Sequence, residues 1–320
     1  MANLLKSKLF KLKSKSKAAN NFYNFLHELK VERRKKLDDE TFAQIYYSEK
    51  TGKKLNLINP ITFDEKQWWL KFHYRNPLQT QCADKYMVRQ YVADCGGSVL
   101  LNELYGVYNS VDELNLDDLP NTFFLKTNHG CGANFWCHDK AKFPIENVKK
   151  QLSINLKQNY YYESREWPYK DIKPRVIAEA VMEPKKPSML IDYRFLCFKG
   201  RCEYVFIDIN TCAENGKHRP DAQRNVYDRD GNFLDVVVTR KQFQTNYKVI
   251  PDNFLLMRMW AEKLSVPFPF VRVDLYSFDN IIRFGEMTFF HAGGVSVINP
   301  PSFQETLGEL IVIPRGEYVI

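Results

Sequence analysis

From Phe268 to Phe290 the chain writes two apolar runs, and each holds a single carboxylate. In Val271-Arg272-Val273-Asp274-Leu275-Tyr276, apolar and polar residues alternate with the period of a strand. One face is therefore apolar, and the other carries Arg272, Asp274 and Tyr276. In Phe284-Gly285-Glu286-Met287-Thr288-Phe289-Phe290, Glu286 sits inside a strongly hydrophobic strand that ends at His291-Ala292-Gly293-Gly294. Asp279-Asn280 between the runs is a hairpin signal. A buried carboxylate without a partner is costly, so a cation is its natural companion. The loop decides whether the two acids can share one. A three-residue loop, 279–281, sets Asp274 and Glu286 directly opposite, whereas a two-residue loop sets them on opposite faces. A structural ion pair between Arg272 and Glu286 is the competing reading.

The rest of the chain supplies a body for this hairpin. Its 320 residues suffice for two domains with a sizeable core. With 44% hydrophobic and 26% charged residues, wholesale disorder is excluded. No run approaches the ~18–20 apolar residues of a spanning helix, and the lysine-rich start lacks the apolar stretch of a secretory signal. Further strands are expected at 122–127, 176–182, 193–198, 203–209 and 282–290, and helices at 145–156 and 254–264. Thr62 and Glu65 form a capping box before Trp68, Trp69 and Phe72, Asp84 can cap a helix through Tyr86, Val88 and Tyr91, and Ser110 and Glu113 suggest another box. Mixed helices and hairpins read as α+β with largely antiparallel sheets.

The net charge of +8 is concentrated at one end. Residues 1–36 hold eleven Lys/Arg and two Glu, leaving 35 basic and 36 acidic residues in the body. Leu5, Leu9 and Leu12 fall on one face of this arm, and Phe22, Phe25, Leu26 and Leu29 repeat the helical spacing. An amphipathic segment on anionic lipid is one reading; a stripe packed on the body is the other. No basic groove in the body continues the arm, so no nucleic-acid partner is expected. Seven cysteines without a CxxC pair suggest reduced thiols in a cytoplasmic compartment. His129, Cys131, Cys137 and His138 lack the spacing of a zinc finger and read as loop residues.

Two further segments carry chemistry. Residues 123–134 form an apolar strand that delivers Lys126 and then the turn Gly130-Cys131-Gly132, where backbone N–H groups can approach an anion. Neither GxxxxGK[ST] nor GxGxxG is present, and a plain strand-end turn is an equal reading. Within 159–170, Tyr160, Tyr161, Tyr162, Arg165 and Trp167 crowd together. Such aromatics can stack on pyranose rings while Arg165 takes a uronate carboxylate; the alternative is a flap packed by its own aromatics.

Taken in order, Asp84-Lys85-Tyr86 with Val88-Arg89, 123–132, 159–179, 192–200, 267–276 and 285–290 resemble the ATP-grasp superfamily, which includes D-alanine–D-alanine ligase and biotin carboxylase. Within it they are most similar to the teichuronopeptide-biosynthesis (TupA-like) proteins of bacterial surface-polysaccharide pathways. The resemblance implies two α+β subdomains clasping ATP: a helical region over 1–80, a subdomain over 81–182 with the lysines and Gly-rich loop, and one over 183–320 with the metal carboxylates. It implies that Lys85 and Lys126 bind the phosphates, with Gly130 and Gly132 closing over them. Glu179 and the backbone at Val181 and Met182 would hold adenine, and Asp192 the ribose. Arg194 would contact phosphate or a substrate carboxylate, Asp274 and Glu286 would ligate Mg²⁺, and Arg272 would stabilise an oxyanion. The superfamily usually reads Glu-x-Asn where this chain has Glu286 and Thr288, which leaves the number of metal ions open. No classical N-terminal Rossmann-like domain is recognisable.

The implied activity is an ATP-dependent carboxylate–amine ligase acting through an acyl phosphate. Its expected acid is a uronic acid of a capsular or cell-wall polysaccharide, and its second partner an amine or amino acid. The expected location is cytoplasmic, with peripheral contact at the inner membrane face through residues 1–36. Two other readings stand beside it: a glycosyltransferase of such a pathway, although no DxD element is present, and a non-catalytic nucleotide-binding assembly factor.

Overall fold

A computed structural model describes residues 22, 26, 29–130, 132, 134–182, 190–213, 216, 219–244 and 248–320. Leu5, Leu9 and Leu12, most of the basic arm, Phe25 and Cys131 lie outside the described residues. Phe22, Leu26 and Leu29 are exposed.

Among the described residues the chain is helical over 29–35 and then forms four helices: α1 (Asp39–Thr51), α2 (Phe63–His73), α3 (Pro77–Ala83) and α4 (Val88–Asp94). The capping box of α2 forms as its sequence requires: Glu65 N–H donates to the Thr62 hydroxyl, and the Glu65 carboxylate accepts from Thr62 N–H. The Ser110 box does not form. Only two short 3₁₀ turns follow it, at Val111–Glu113 and Leu116–Asp118, and the Ser110 side chain makes no cap bond.

The chain then builds a four-stranded antiparallel sheet from β1 (Leu104–Tyr108), β2 (Phe123–Thr127), β3 (Asn134–Cys137) and β4 (Val176–Glu179), in the order β1-β4-β2-β3. The helices α5 (Ile145–Leu156) and α6 (Tyr161–Ser164) lie between β3 and β4 in the chain. Alternation in β2 buries Phe123, Leu125 and Thr127 and turns Phe124 and Lys126 the other way. A small core joins Phe123 and Leu125 to Val148 and Leu152 of α5.

A second antiparallel sheet contains β5 (Ile191–Phe198), β6 (Arg201–Ile209), β7 (Gln223–Asp228) and β8 (Phe233–Leu234), then, after β9 (Val237–Val238) and helix α7 (Phe254–Ser265), β10 (Val271–Phe278) and β11 (Ile281–Thr288). Its order is β11-β10-β5-β6-β7-β8. The short β12 (Ile298–Asn299) pairs with β9, and α8 (Ser302–Leu310) closes the fold. Tyr193, Phe195, Val271, Val273 and Leu275 join Phe254, Met257 and Leu264 of α7 in the larger core. Residues expected with the lysine-bearing unit, among them Cys82, Val88, Val92 and Leu100, also pack into this larger core.

The helical region is tied directly to the second sheet. After β11 the chain turns through Ala292, Gly293 and Gly294, all with positive φ. The Trp68 indole donates to Gly294 O at 2.9 Å, and Lys71 Nζ to Gly293 O at 2.7 Å and Ser164 O at 2.9 Å. Burial pushes the Lys71 amine down to about 7.

Candidate active site

The two sheets face each other across a cavity of about 250 Å³. Lys85, Lys126, Glu179, Val181, Met182, Asp192, Arg194, Asp274 and Glu286 all line it, as do Asn102, Phe124, Trp136, Tyr276 and Arg240. Nine positions scattered from 85 to 286 thus meet in one hollow.

On the floor, β10 lies between β5 and β11, and Asp274 pairs with Arg194 on one side and Glu286 on the other. The hairpin loop is the two-residue Asp279-Asn280, both residues with positive φ. The sequence expectation put the acids on opposite faces in that case, and here the structure differs. A bulge intervenes: Leu275 pairs with Phe284 and Asp274 with Glu286, so Gly285 is the extra residue. That one residue reverses the phase of β11 and returns Glu286 to the face of Asp274. Any Cβ at Gly285 would meet Asp274 O and the Tyr276 ring at 2.9 Å, which is why glycine stands there.

Arg272 lies between the two acids. Its Nε and Nη2 bond the Asp274 carboxylate at 2.6 and 2.7 Å, and Nη2 reaches Glu286 at 3.1 Å. The competing structural ion pair is therefore present, and it shows that both carboxylates reach one cationic point. Burial pushes the Asp274 carboxyl above its ordinary range, against Arg272 and Arg194, and the nearby Glu286 charge adds to the rise. Burial also raises Glu286, but Lys85, Arg272, Arg194 and Lys126 outweigh it and hold the carboxyl low. The lysines of the roof are thus within electrostatic reach of the acid on the floor.

These oxygen donors fit a hard divalent cation. Among the described residues no cluster of three or more His, Cys, Asp or Glu side chains could hold a metal. Mg²⁺ commonly takes one or two carboxylates and completes its shell with phosphate and water, so the pair suffices. Thr288 Oγ stands 3.3 Å from Glu286, on the same strand face.

On the roof, Lys126 pairs with Glu179 at 2.6 Å, and Arg89 stands 3.5 Å from the same carboxylate. Lys85 Nζ donates to Gly130 O at 2.6 Å. Gly132 has φ +90° with open space where a side chain would project, the backbone freedom a phosphate-binding turn needs. Beyond β4, Ala180 N–H and C=O are taken by Glu103 O and the Asn102 amide. Val181 and Met182 follow on the cavity wall.

Two expected substrate residues lie elsewhere. Arg165 is buried, with Nη2 on the carbonyls of Arg34 and Leu37 at 2.8 and 2.9 Å, Nε 2.8 Å from the Asp39 carboxylate, and its guanidinium over Phe42. Trp167 packs at the edge of the larger core, with the Arg75 guanidinium 5.2 Å from its ring. Neither lines the cavity.

The floor also holds residues that sequence reasoning missed. Asp208 on β6 pairs with Arg194 at 2.8 Å, with Arg224 at 2.6 Å and with Arg240. Burial raises its carboxyl, but the three guanidinium groups prevail and hold it far below the usual range. His291 lies between Arg272, 3.1 Å from Nδ1, and Arg224, 3.4 Å from Nε2. Burial and these arginines keep the imidazole neutral. Asp208 could have been found by the signal that marked Glu286, one acid in an apolar strand; nothing local marks Arg224.

A family model described as TupA-like ATPgrasp matches residues 65–312. The chain belongs to the TupA-like ATP-grasp family. Its two antiparallel sheets, with helices on the outside and the charged faces turned inward, form an ATP-grasp fold. Among solved structures, this ATP-grasp chain is similar to an L-amino acid ligase from Bacillus licheniformis, at 13% identity and TM-score 0.40, covering 69% of this chain and 46% of that one. It is also similar to the D-alanine–D-alanine ligase from Bacillus anthracis complexed with ATP (14%, TM-score 0.39, 72% and 65%). A third is the D-alanine–D-alanine ligase from Helicobacter pylori (14%, TM-score 0.40, 78% and 69%). The chain thus spans about half the length of the first and just under two thirds of the second. No curated protein matches it.

Proposed function

We propose that this chain is an ATP-dependent carboxylate–amine ligase that works through an acyl phosphate. Its acid is a uronic acid of a capsular or cell-wall polysaccharide, and its nucleophile an amine or amino acid. The observation that carries this reading is the direct Asp274/Glu286 pairing, with Arg272 between the acids and the lysines across the cavity.

The chemistry follows from charge. A substrate carboxylate oxygen bonds to the γ-phosphorus as the β–γ bridging bond breaks and ADP leaves. Two anions must approach, and Lys85 and Lys126 lower that repulsion. Mg²⁺ held by Asp274 and Glu286 would supply further neutralisation at the phosphates. The amine then attacks the acyl carbon, loses a proton, and phosphate departs. The tetrahedral intermediate carries an oxyanion, and Arg272 is the donor assigned to it. Glu179 holds Lys126 in readiness, and Asp192 and the backbone at Val181 and Met182 take the ribose and base.

The deciding experiment is ADP release, with and without hydroxylamine trapping, across a panel of uronic acids and amino acids. A hydroxamate formed with one acid establishes the acyl phosphate and names that acid. Mg·ATP binding without ADP release under any condition would favour the assembly-factor reading. For the basic arm we propose peripheral contact with the inner membrane face. Each basic residue near an anionic surface contributes ~1 kcal/mol, so removing residues 1–18 should weaken sedimentation with anionic vesicles at low salt. Unaltered sedimentation would make the arm structural.

A further inference from the structure

The cavity wall contains a donor that no described residue meets. The indole Nε1 of Trp136 is buried, and among the described residues no acceptor meets it. Trp136 lines the cavity beside Phe124, its direct partner across β2 and β3, and its ring stacks on His138 at 4.1 Å. One other orphaned nitrogen belongs to a residue of this wall, Arg194 Nε, but an Asp208 carboxylate oxygen stands 2.8 Å from it. No described residue sets such a counter-charge against Trp136. An indole N–H donates and never accepts, and buried donors in native proteins are paired. The missing partner is therefore an acceptor that arrives with the ligand.

Strand register locates that acceptor. One facing pair along β2 and β3 from Phe124 and Trp136 stand Lys126 and Asn134, a step of about 7 Å. Glu179, which leads into the Val181–Met182 segment, pairs with Phe124 from the opposite side. Two strand spacings, about 10 Å, thus separate Trp136 from β4. Below, Asp192, Thr211, Cys212 and Gly216 line the same hollow. Gly216 comes so close to β3 that a Cβ would lie 3.0 Å from Asn134 O. Trp136 accordingly stands level with Glu179 along the strands but two strands across from β4, so it meets the nucleotide from the side opposite the backbone assigned to the base.

We infer that Trp136 Nε1 donates a hydrogen bond to an oxygen of the nucleotide's ribose–phosphate portion. This contact rests on the nucleotide reading above and deepens it. Its chemistry is the same whether the oxygen is a ribose hydroxyl or a phosphate oxygen.

The test uses the full chain labelled with ¹⁵N-tryptophan, whose five tryptophans give five indole signals. Mg·ATP should move one of them downfield and slow its exchange with water, and Trp136→Phe should remove that signal. A shift with Mg·tripolyphosphate as well assigns the acceptor to phosphate; a shift with Mg·ribose 5-triphosphate but not with tripolyphosphate assigns it to ribose; a shift with Mg·ATP alone assigns it to the base and overturns the inference. Trp136→Phe should raise the Kd for Mg·ATP about three- to tenfold, the value of one such bond. If calorimetry shows wild-type binding while the Trp136 signal neither moves nor slows, this inference is overturned and the nucleotide reading survives. If the wild-type protein binds no Mg·ATP, both fall together. Should Trp136→Phe fail to fold, the wild-type signal, assigned through its backbone neighbours, still decides.

Discussion

The four-stranded sheet brings two charged side chains to the cavity, Lys126 and Glu179, on a small core beside α5, and Arg89 of α4 backs the same Glu179 carboxylate. The six-stranded sheet brings a continuous ion network, Glu286–Arg272–Asp274–Arg194–Asp208–Arg224, and seats it on the larger core shared with α7 and α2–α4. Charges without good partners are expensive in a protein interior, so the floor needs both complete pairing and rigid backing. The roof presents cations that can be exchanged: Lys85 rests on a carbonyl, and Lys126 on one acid. A metal site demands fixed oxygen geometry, whereas phosphate needs cations that can move onto it. The difference between the sheets matches that division of work.

Four perturbations test this contrast. The largest effect is expected at the carboxylate pair. Asp274→Asn or Glu286→Gln should abolish ATP turnover, measured as ADP release, while circular dichroism stays native. Turnover that persists in either variant would remove the metal role from the floor. Next is Asp208→Asn, which leaves three guanidinium groups, the buried Arg224 among them, short of one acid. It should cost roughly 3–5 kcal/mol in denaturant unfolding, against about 1 kcal/mol for Glu179→Gln on the roof. Equal losses would erase the contrast between the sheets. The pH dependence carries a sign: the folded Asp208 carboxyl titrates below its unfolded value of about 3.9. Its stabilisation is complete above that pH and fades as pH falls towards the folded value. Wild type should therefore lose its stability margin over Asp208→Asn in acid. A smaller effect is expected at Lys126→Ala, which should weaken Mg·ATP binding several-fold by calorimetry through loss of a charge-assisted contact. Unchanged affinity would deny the roof its phosphate role. The smallest is Thr288→Asn, which adds a better neutral oxygen ligand and should preserve or slightly tighten Mg²⁺ dependence. A marked weakening would mean that Thr288 does more than occupy the third place on that strand face.

Much of the floor is legible in the order of residues alone. Apolar alternation in 271–276 announces which side chains share a face, and α5 occupies 145–156 as its spacing requires. Arg165 illustrates the opposite case. An arginine among tyrosines looks like a sugar site, yet the same chemistry satisfies buried carbonyls when a helix terminus lies within reach. Its partners stand more than a hundred residues away in sequence, and no local pattern could name them. Arg224 and His291 escape notice for the same reason.

By itself the sequence determined the strand and helix periods, the Thr62 capping box, the strand that carries Lys126 and the family pattern, because each is written in residues a few positions apart. Tertiary structure alone decided that Glu286 faces Asp274. A two-residue turn would have turned the acid away, and the bulge at Gly285 restores it. A bulge forms where pairing with a neighbouring strand is better satisfied by skipping a residue, and that balance exists only once β10 is held between β5 and β11. Which cation each buried acid keeps was decided the same way, since in a low-dielectric interior the partner is set by distance across strands and not by separation along the chain.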